Sequence, residues 1–206
     1  MQFRDTIIEA LARLTLKRRH DNYIHRLRTL HQKLDIPRNY DQRGLTFHRE
    51  ATTLVSSSSG ISGEVCLMTP TTKNKWLDMR AAAADAGITL LLACAFRDLE
   101  EQARLIQTQL ARGAEMEQIL TWIAAPGYSE HHTGRALDIG SRDCFPPSSE
   151  FANTAAFSWL TKNAALFDFY LSYPEGNTQG IIFEPWHWLC RSKGEPQPAH
   201  CHPVSL

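Results

Sequence analysis

Apolar positions three and four apart open the chain: Phe3, Ile7, Leu11 and Leu14, then Tyr23, Leu27, Leu30 and Leu34. That spacing lays one stripe along a helix, so two amphipathic helices are predicted, closed by Pro37. Over residues 39–63 the periodicity fades, and Ser56-Ser57-Ser58-Ser59-Gly60 followed by Ser62-Gly63 is composed like a connector or an exposed loop. Helical spacing returns after Thr69, a cap residue with Pro70 at the first helical position; Trp76, Met79 and Ala83 form the stripe and Gly87 stops it. Residues 88–95 are a continuous apolar run of strand length. Asp98 with Glu101 has the form of a capping box for a helix striped by Leu99, Ala103, Ile106 and Leu110, ending before Gly113.

A short helix over 115–123 then leads into the turn Ala125-Pro126-Gly127-Tyr128, which delivers the chain to Ser129. Beyond Asp138 the pattern predicts a polar loop, a helix over 153–166, a strand over 169–173, a hairpin turn over 176–180 and a return strand over 181–183. Helices mixed with short strands and a terminal hairpin point to an α+β fold, a small antiparallel sheet with flanking helices. Residues 1–60 are expected as an N-terminal helical extension with a serine-rich connector, and residues 61–206 as the main domain.

At 206 residues and 43% hydrophobic, the chain can bury one good core. Lys plus Arg equals Asp plus Glu at 22 each, so no global basic excess argues for nucleic acid. Residues 1–50 nonetheless hold 11 Lys/Arg against 6 Asp/Glu, a mildly basic arm read as solvated surface. No run of 18 apolar residues exists, so no transmembrane segment is expected. Met1-Gln2-Phe3-Arg4-Asp5 lacks the order of a Sec signal. The expectation is a soluble chain, cytoplasmic as written or brought to the cell envelope by a non-Sec route or from a shortened form. Five cysteines, Cys66, Cys94, Cys144, Cys190 and Cys201, with no C-x-x-C pair, argue against a dense disulfide framework.

The chemistry gathers in two segments. Ser129-Glu130-His131-His132-Thr133-Gly134-Arg135-Ala136-Leu137-Asp138 and Glu184-Pro185-Trp186-His187-Trp188 together offer two imidazoles and a carboxylate, with Glu184 as a further carboxylate. That is the inventory of a catalytic zinc site: three protein ligands, a position left to water, and a base. On one straight helix, His131 and Asp138 would stand two turns or about 10 Å apart, too far for one ion. Gly134 lets the chain fold back between them. The residues alone leave His131 and His132 as rival ligands. Arg97, at the end of the apolar run, suits an oxyanion or a substrate carboxylate, with an ion pair to Glu100 or Glu101 as the plainer reading. His200, Cys201 and His202 with Cys190 are a weaker candidate for a second metal site, set against an ordinary tail.

Ser-x-His-x-x-Gly-x-Ala-x-Asp at Ser129, His131, Gly134, Ala136 and Asp138, followed by Glu-x-x-His-Trp at Glu184, His187 and Trp188, resembles the zinc D-alanyl-D-alanine carboxypeptidases of the VanY type. The wider group includes D-Ala-D-Ala dipeptidases, phage endolysins and the Hedgehog signalling domain. The likeness extends to Asn163-Ala164, to Leu171-Ser172-Tyr173-Pro174 and to Arg97 with Gln102, spanning about residues 70 to 190. It implies one Zn2+ per chain on His131, Asp138 and His187, with Glu184 as general base and Arg97 polarising the scissile carbonyl. It also implies peptide contacts from Ser129, Gln102, Tyr173 and Trp186, and a peptidoglycan stem peptide or muropeptide as substrate. Where the family reads Ser-Gly-Tyr-Arg, this chain has Cys94-Ala95-Phe96-Arg97, which bears on substrate choice. An endolysin-like endopeptidase and a non-catalytic zinc-containing binding module are the alternatives.

Overall fold

The computed structural model describes residues 20–57, 65–192 and 195. The first predicted helix, the serines beyond Ser57 and the His200-Cys201-His202 group lie outside these residues. The second predicted helix is present as α1, residues 20–34. Its Tyr23, Leu27 and Leu34 are buried, as the stripe requires. Of the serine-rich stretch, Ser56 and Ser57 are not loop but belong to β1 (Val55–Ser57), which pairs antiparallel with β2 (Cys66–Met68).

α2 (Pro70–Asp85) begins as predicted, with the Thr69 hydroxyl accepting from Thr72 N–H and Pro70 in the first turn. α3 (Leu99–Ala111) carries the full capping box: Asp98 accepts from Glu101 N–H, and the Glu101 side chain accepts from Asp98 N–H. The 115–123 helix is shorter than expected, α4 (Met116–Ile119), because the chain passes into turns closed by Ile123 N–H on Ile119 O. α5 (Ala155–Asn163) tightens into a 3-10 turn over Ala164–Phe167 before Asp168 turns left-handed.

Four short strands form one antiparallel sheet in the order β3-β4-β6-β5. These are β3 (Leu91–Cys94), β4 (Ala136–Gly140), β5 (Phe169–Leu171) and β6 (His187–Cys190). The return strand of the terminal hairpin is therefore 187–190 and not 181–183. Residues 181–183 are drawn away: Ile181 is buried in a second core, and Ile182 N–H donates to Thr121 O at 2.7 Å, beside α4. Pro185, which has no N–H to donate to a ladder, separates that stretch from β6.

Period-two alternation gives the sheet two different faces. Leu92, Leu137, Ile139, Phe169 and Trp188 face a core completed by Trp76 and Met79 of α2 and Leu160 of α5. Trp76 is fully buried there, and truncating such a residue to alanine costs about 3–5 kcal/mol. The alternate positions, Asp138 and His187, face the other way.

The second core joins the N-terminal stretch to the loop before the site. Leu34, Ile36, Tyr40 and Leu45 pack with Ile106, Ile119 and Tyr173. The buried Tyr40 hydroxyl accepts from Ala125 N–H at 3.0 Å, and His31 Nε2 meets Pro126 O at 2.8 Å. Among the described residues no helix is long and apolar enough to cross a membrane.

Tyr40→Phe leaves the buried Ala125 N–H without a partner. The expected loss is about 1–3 kcal/mol, at roughly 2–4 °C of melting temperature per kcal/mol for a domain of this size. A thermal melt that matches wild type would mean the hydroxyl does not hold this loop.

Candidate metal centre and active site

The site is built on the polar face of the sheet. In the β4–β6 ladder Asp138 is the partner of His187, and in the β3–β4 ladder it is the partner of Cys94. Three side chains that are 44 and 49 residues apart in sequence thus stand in one row. His131 joins them from above: it sits in a 3-10 turn, Glu130–Thr133, which Gly134 ends in a left-handed conformation at φ 63°. A Cβ at Gly134 would meet Leu54 Cδ2 at 2.8 Å and Thr69 N at 3.3 Å, so both the conformation and the close packing favour glycine.

The reversal brings His131 Nε2 to 3.3 Å from Asp138 Oδ1, while His187 Nδ1 lies 3.1 Å from the same oxygen. The two imidazole rings meet edge to face at 4.9 Å. Each ring is oriented through its other nitrogen. His131 Nδ1 bonds to Ala95 O, which leaves Nε2 buried with no hydrogen-bond partner. His187 Nε2 bonds to Glu130 Oε2 at 2.9 Å, and Glu130 also accepts the Ser172 hydroxyl at 2.6 Å. His132 turns elsewhere: Nδ1 meets Arg97 O at 2.7 Å and Nε2 accepts Gly127 N–H at 3.0 Å. Of the two rivals, His131 is the one that faces Asp138.

Asp138 Oδ1 thus stands within 3.3 Å of a nitrogen of each imidazole, donors of the kind that hold a divalent ion. The charges already support one another. Burial would raise the Asp138 pKa, but His131 and His187 hold it well below the usual carboxylate value. Burial would lower that of His187, but Asp138 and Glu130 raise it well above the usual histidine value. Burial, and then Arg97, push His131 down to about 4.

A cavity of about 160 Å³ opens over these donors. Arg97, Gln102, Ser129, Tyr173, Glu184 and Trp186 line it together with the three donors. Glu184 is buried, with Oε2 3.8 Å from His187 Nδ1. Burial pushes its pKa up to about 7, reinforced by Asp138 and opposed by His187. Arg97 reaches Asp138 Oδ2 at 3.6 Å and donates to Gln102 Oε1 at 3.0 Å, while its Nε has no hydrogen-bond partner. Gln102 donates in turn to Ala124 O at 2.7 Å. The Tyr173 ring lies 5.0 Å from that of His187. Arg97 pairs across the site with Asp138, and Glu100 is engaged by Arg26 instead.

Two residues were not singled out from the sequence as members of the site. Glu130 holds His187, yet its partner Ser172 is 42 residues away and nothing local marks the pair. Cys94 enters the row only through the strand register.

The sheet gathers a donor set of the kind that holds a metal ion. The chain belongs to the VanY, D-alanyl-D-alanine carboxypeptidase, family, whose model matches residues 66–192. It is 31% identical over 124 residues to a D-alanyl-D-alanine carboxypeptidase of Enterococcus faecalis, covering 54% of this chain and 43% of that protein. It is 33% identical over 116 residues to one of Enterococcus faecium, covering 55% and 34%. The chain spans less than half the length of these curated relatives. Among solved structures, the LdcB LD-carboxypeptidase aligns with a TM-score of 0.62 at 27% identity, over 69% of this chain and 70% of that one. A variant of the vancomycin-resistance D,D-pentapeptidase VanY in complex with Zn(II) aligns with a TM-score of 0.51 at 25% identity, over 73% and 80%.

Protein stripped of metal by a chelator should keep His187 protonated through the neutral range. Its folded pKa is raised, so the stability this contributes is present below the ordinary value near 6.5 and is lost only as pH climbs through the raised one. Proton NMR titration would show its ring signals unmoved between pH 6 and 8 on this account, and Glu130→Gln would lower the midpoint. A wild-type midpoint near 6.5 contradicts the double carboxylate contact.

Proposed function

We propose that the chain is a zinc-dependent carboxypeptidase that hydrolyses the terminal peptide bond of a peptidoglycan stem peptide, a D,D or an L,D bond. The observation that carries this reading is the placement of Glu184. A buried carboxylate stands beside the His131–Asp138–His187 donors, and the partly buried Arg97 lines the same cavity. The relatives' own names, D-alanyl-D-alanine carboxypeptidase and LD-carboxypeptidase, support the substrate class.

His131, Asp138 and His187 would hold one Zn2+ per chain. Zinc bound there acts as a Lewis acid and lowers the pKa of water towards neutrality. Glu184 takes the proton from the attacking water and returns it to the leaving amine, a transfer suited to a carboxyl group that titrates near neutral pH. Arg97, fixed by Gln102, offers its guanidinium to the carbonyl oxygen as negative charge develops. Ser129, Tyr173 and Trp186 line the space where the peptide end is seated, with Gln102 at its wall. At about 160 Å³ the cavity is below the roughly 300–1,000 Å³ of pockets for drug-sized ligands, which favours a short terminal residue.

Residues 20–57 act as a brace for the site and not as a second catalytic unit, since their buried side chains meet α3, α4 and the loop before Ser129.

Glu184→Ala is expected to keep one zinc per chain by elemental analysis and to lose about 10²–10⁴ in kcat. Chelation should abolish turnover and zinc should restore it. Mass analysis of digested tetra- and pentapeptide muropeptides should show loss of a single residue. Two large fragments would make the enzyme an endopeptidase, and full turnover by Glu184→Ala would remove the assigned base.

A further inference from the structure

Cys94 has no place in the mechanism above, yet it belongs to the same row of side chains. Its Cα is the ladder partner of Asp138, just as that of His187 is on the opposite flank. The ladder is irregular between Leu92 and Cys94, and that shift carries Cys94 away from the core-facing side of Leu92 to the side of its partner Asp138. The Cys94 sulfur, a His131 ring nitrogen and an Asp138 carboxylate oxygen lie within 4.8 Å of one another. Inside that group, His131 Nε2 is buried without a hydrogen-bond partner. The sulfur makes a long contact, 3.9 Å to Ala95 O, the carbonyl that also orients His131, and faces the Arg97 side chain.

The direction of approach matters as much as the distance. Cys94 does not line the cavity that holds Glu184 and Arg97's partner Gln102; it lines a second one, with Cys66, Leu67 and Leu105. A sulfur in this place meets the donors from the β3 side and leaves the Glu184 side to water and peptide. Catalytic zinc accommodates such an arrangement by expanding to five-coordination.

We propose that Cys94 supplies a sulfur donor to the metal held by His131, Asp138 and His187, so that the centre has four protein donors with its cavity face still open. This rests on the metal reading above and adds to it a soft ligand, at the position where the family pattern has a serine. On binding, the S–H proton is released to solvent and a sulfur–metal bond takes its place, with no change of oxidation state. A thiolate strengthens retention of zinc and shifts preference towards softer ions such as cadmium.

Cobalt(II) substitution of the full chain reads this directly, because sulfur coordinated to cobalt gives an intense charge-transfer absorption in the near ultraviolet. Wild type should show that band, Cys66→Ser should retain it, and Cys94→Ser should lose it while still binding cobalt. Chelator competition should find zinc held at least about tenfold more weakly in Cys94→Ser, and the cadmium-over-zinc preference reduced. Cobalt bound by wild type without the band overturns the sulfur donor and leaves the three-donor centre standing. Failure of wild type to bind cobalt or zinc overturns both. Cys94→Ala serves as a second variant should Cys94→Ser not fold, and a band lost in Cys201→Ser but kept in Cys94→Ala would assign the sulfur to the tail and overturn the proposal.

Discussion

The structure depends on keeping one carboxylate, Asp138, charged in a place largely closed to water. An isolated buried carboxylate is costly enough that it ordinarily takes up a proton. Here it is surrounded instead by His131, His187 and Arg97, at 3.3, 3.1 and 3.6 Å. Those three groups arrive from three different segments, so the charge is satisfied only when the 3-10 turn, β6 and the stretch between β3 and α3 are all in place. A one-residue slip of β4 would turn Asp138 into the apolar core and Leu137 or Ile139 into the site, which the alternation forbids.

The N-terminal stretch serves the same constraint from a distance. Glu50 accepts two hydrogen bonds from Arg26, both at 3.0 Å, and takes Leu99 N–H at 2.9 Å, tying α1 to the first turn of α3. Arg26 is 41% exposed, so its ion pairs fix position more than they add stability. The neutral contacts lie deeper. Tyr40 on Ala125 and His31 on Pro126 hold the loop that launches the chain into Ser129, and α3 carries Gln102, which holds Arg97.

Much of this was legible because the signals are local. Thr69 with Pro70, and Asp98 with Glu101, announce helix starts through residues at most three apart, and the structure forms both caps. The reversal at Gly134 was readable for the same reason, since His131 and Asp138 cannot share one ion without it. What escaped is non-local. Residues 181–183 look like a strand, but Thr121 and the second core hold them away from the sheet, and no pattern within those residues encodes that. Glu130 is a carboxylate beside a histidine in the sequence, whereas in space it serves the other histidine, 57 residues on.

The same pairing explains how the donors keep their geometry. His187 lies between two carboxylates, Asp138 and Glu130, and His131 is pinned by a backbone carbonyl, so the ring planes are set by contacts that belong to the protein. Behind them Leu137, Ile139 and Trp188 are locked into a close-packed core, which fixes the strands that carry the donors. This differs from small zinc modules, in which metal binding and folding are one event. A cation entering the centre would compete with the existing contacts of His187 and Asp138 and would not have to order the chain. Glu184 is already buried beside the donors, so the proposed base is in place with no rearrangement of the backbone.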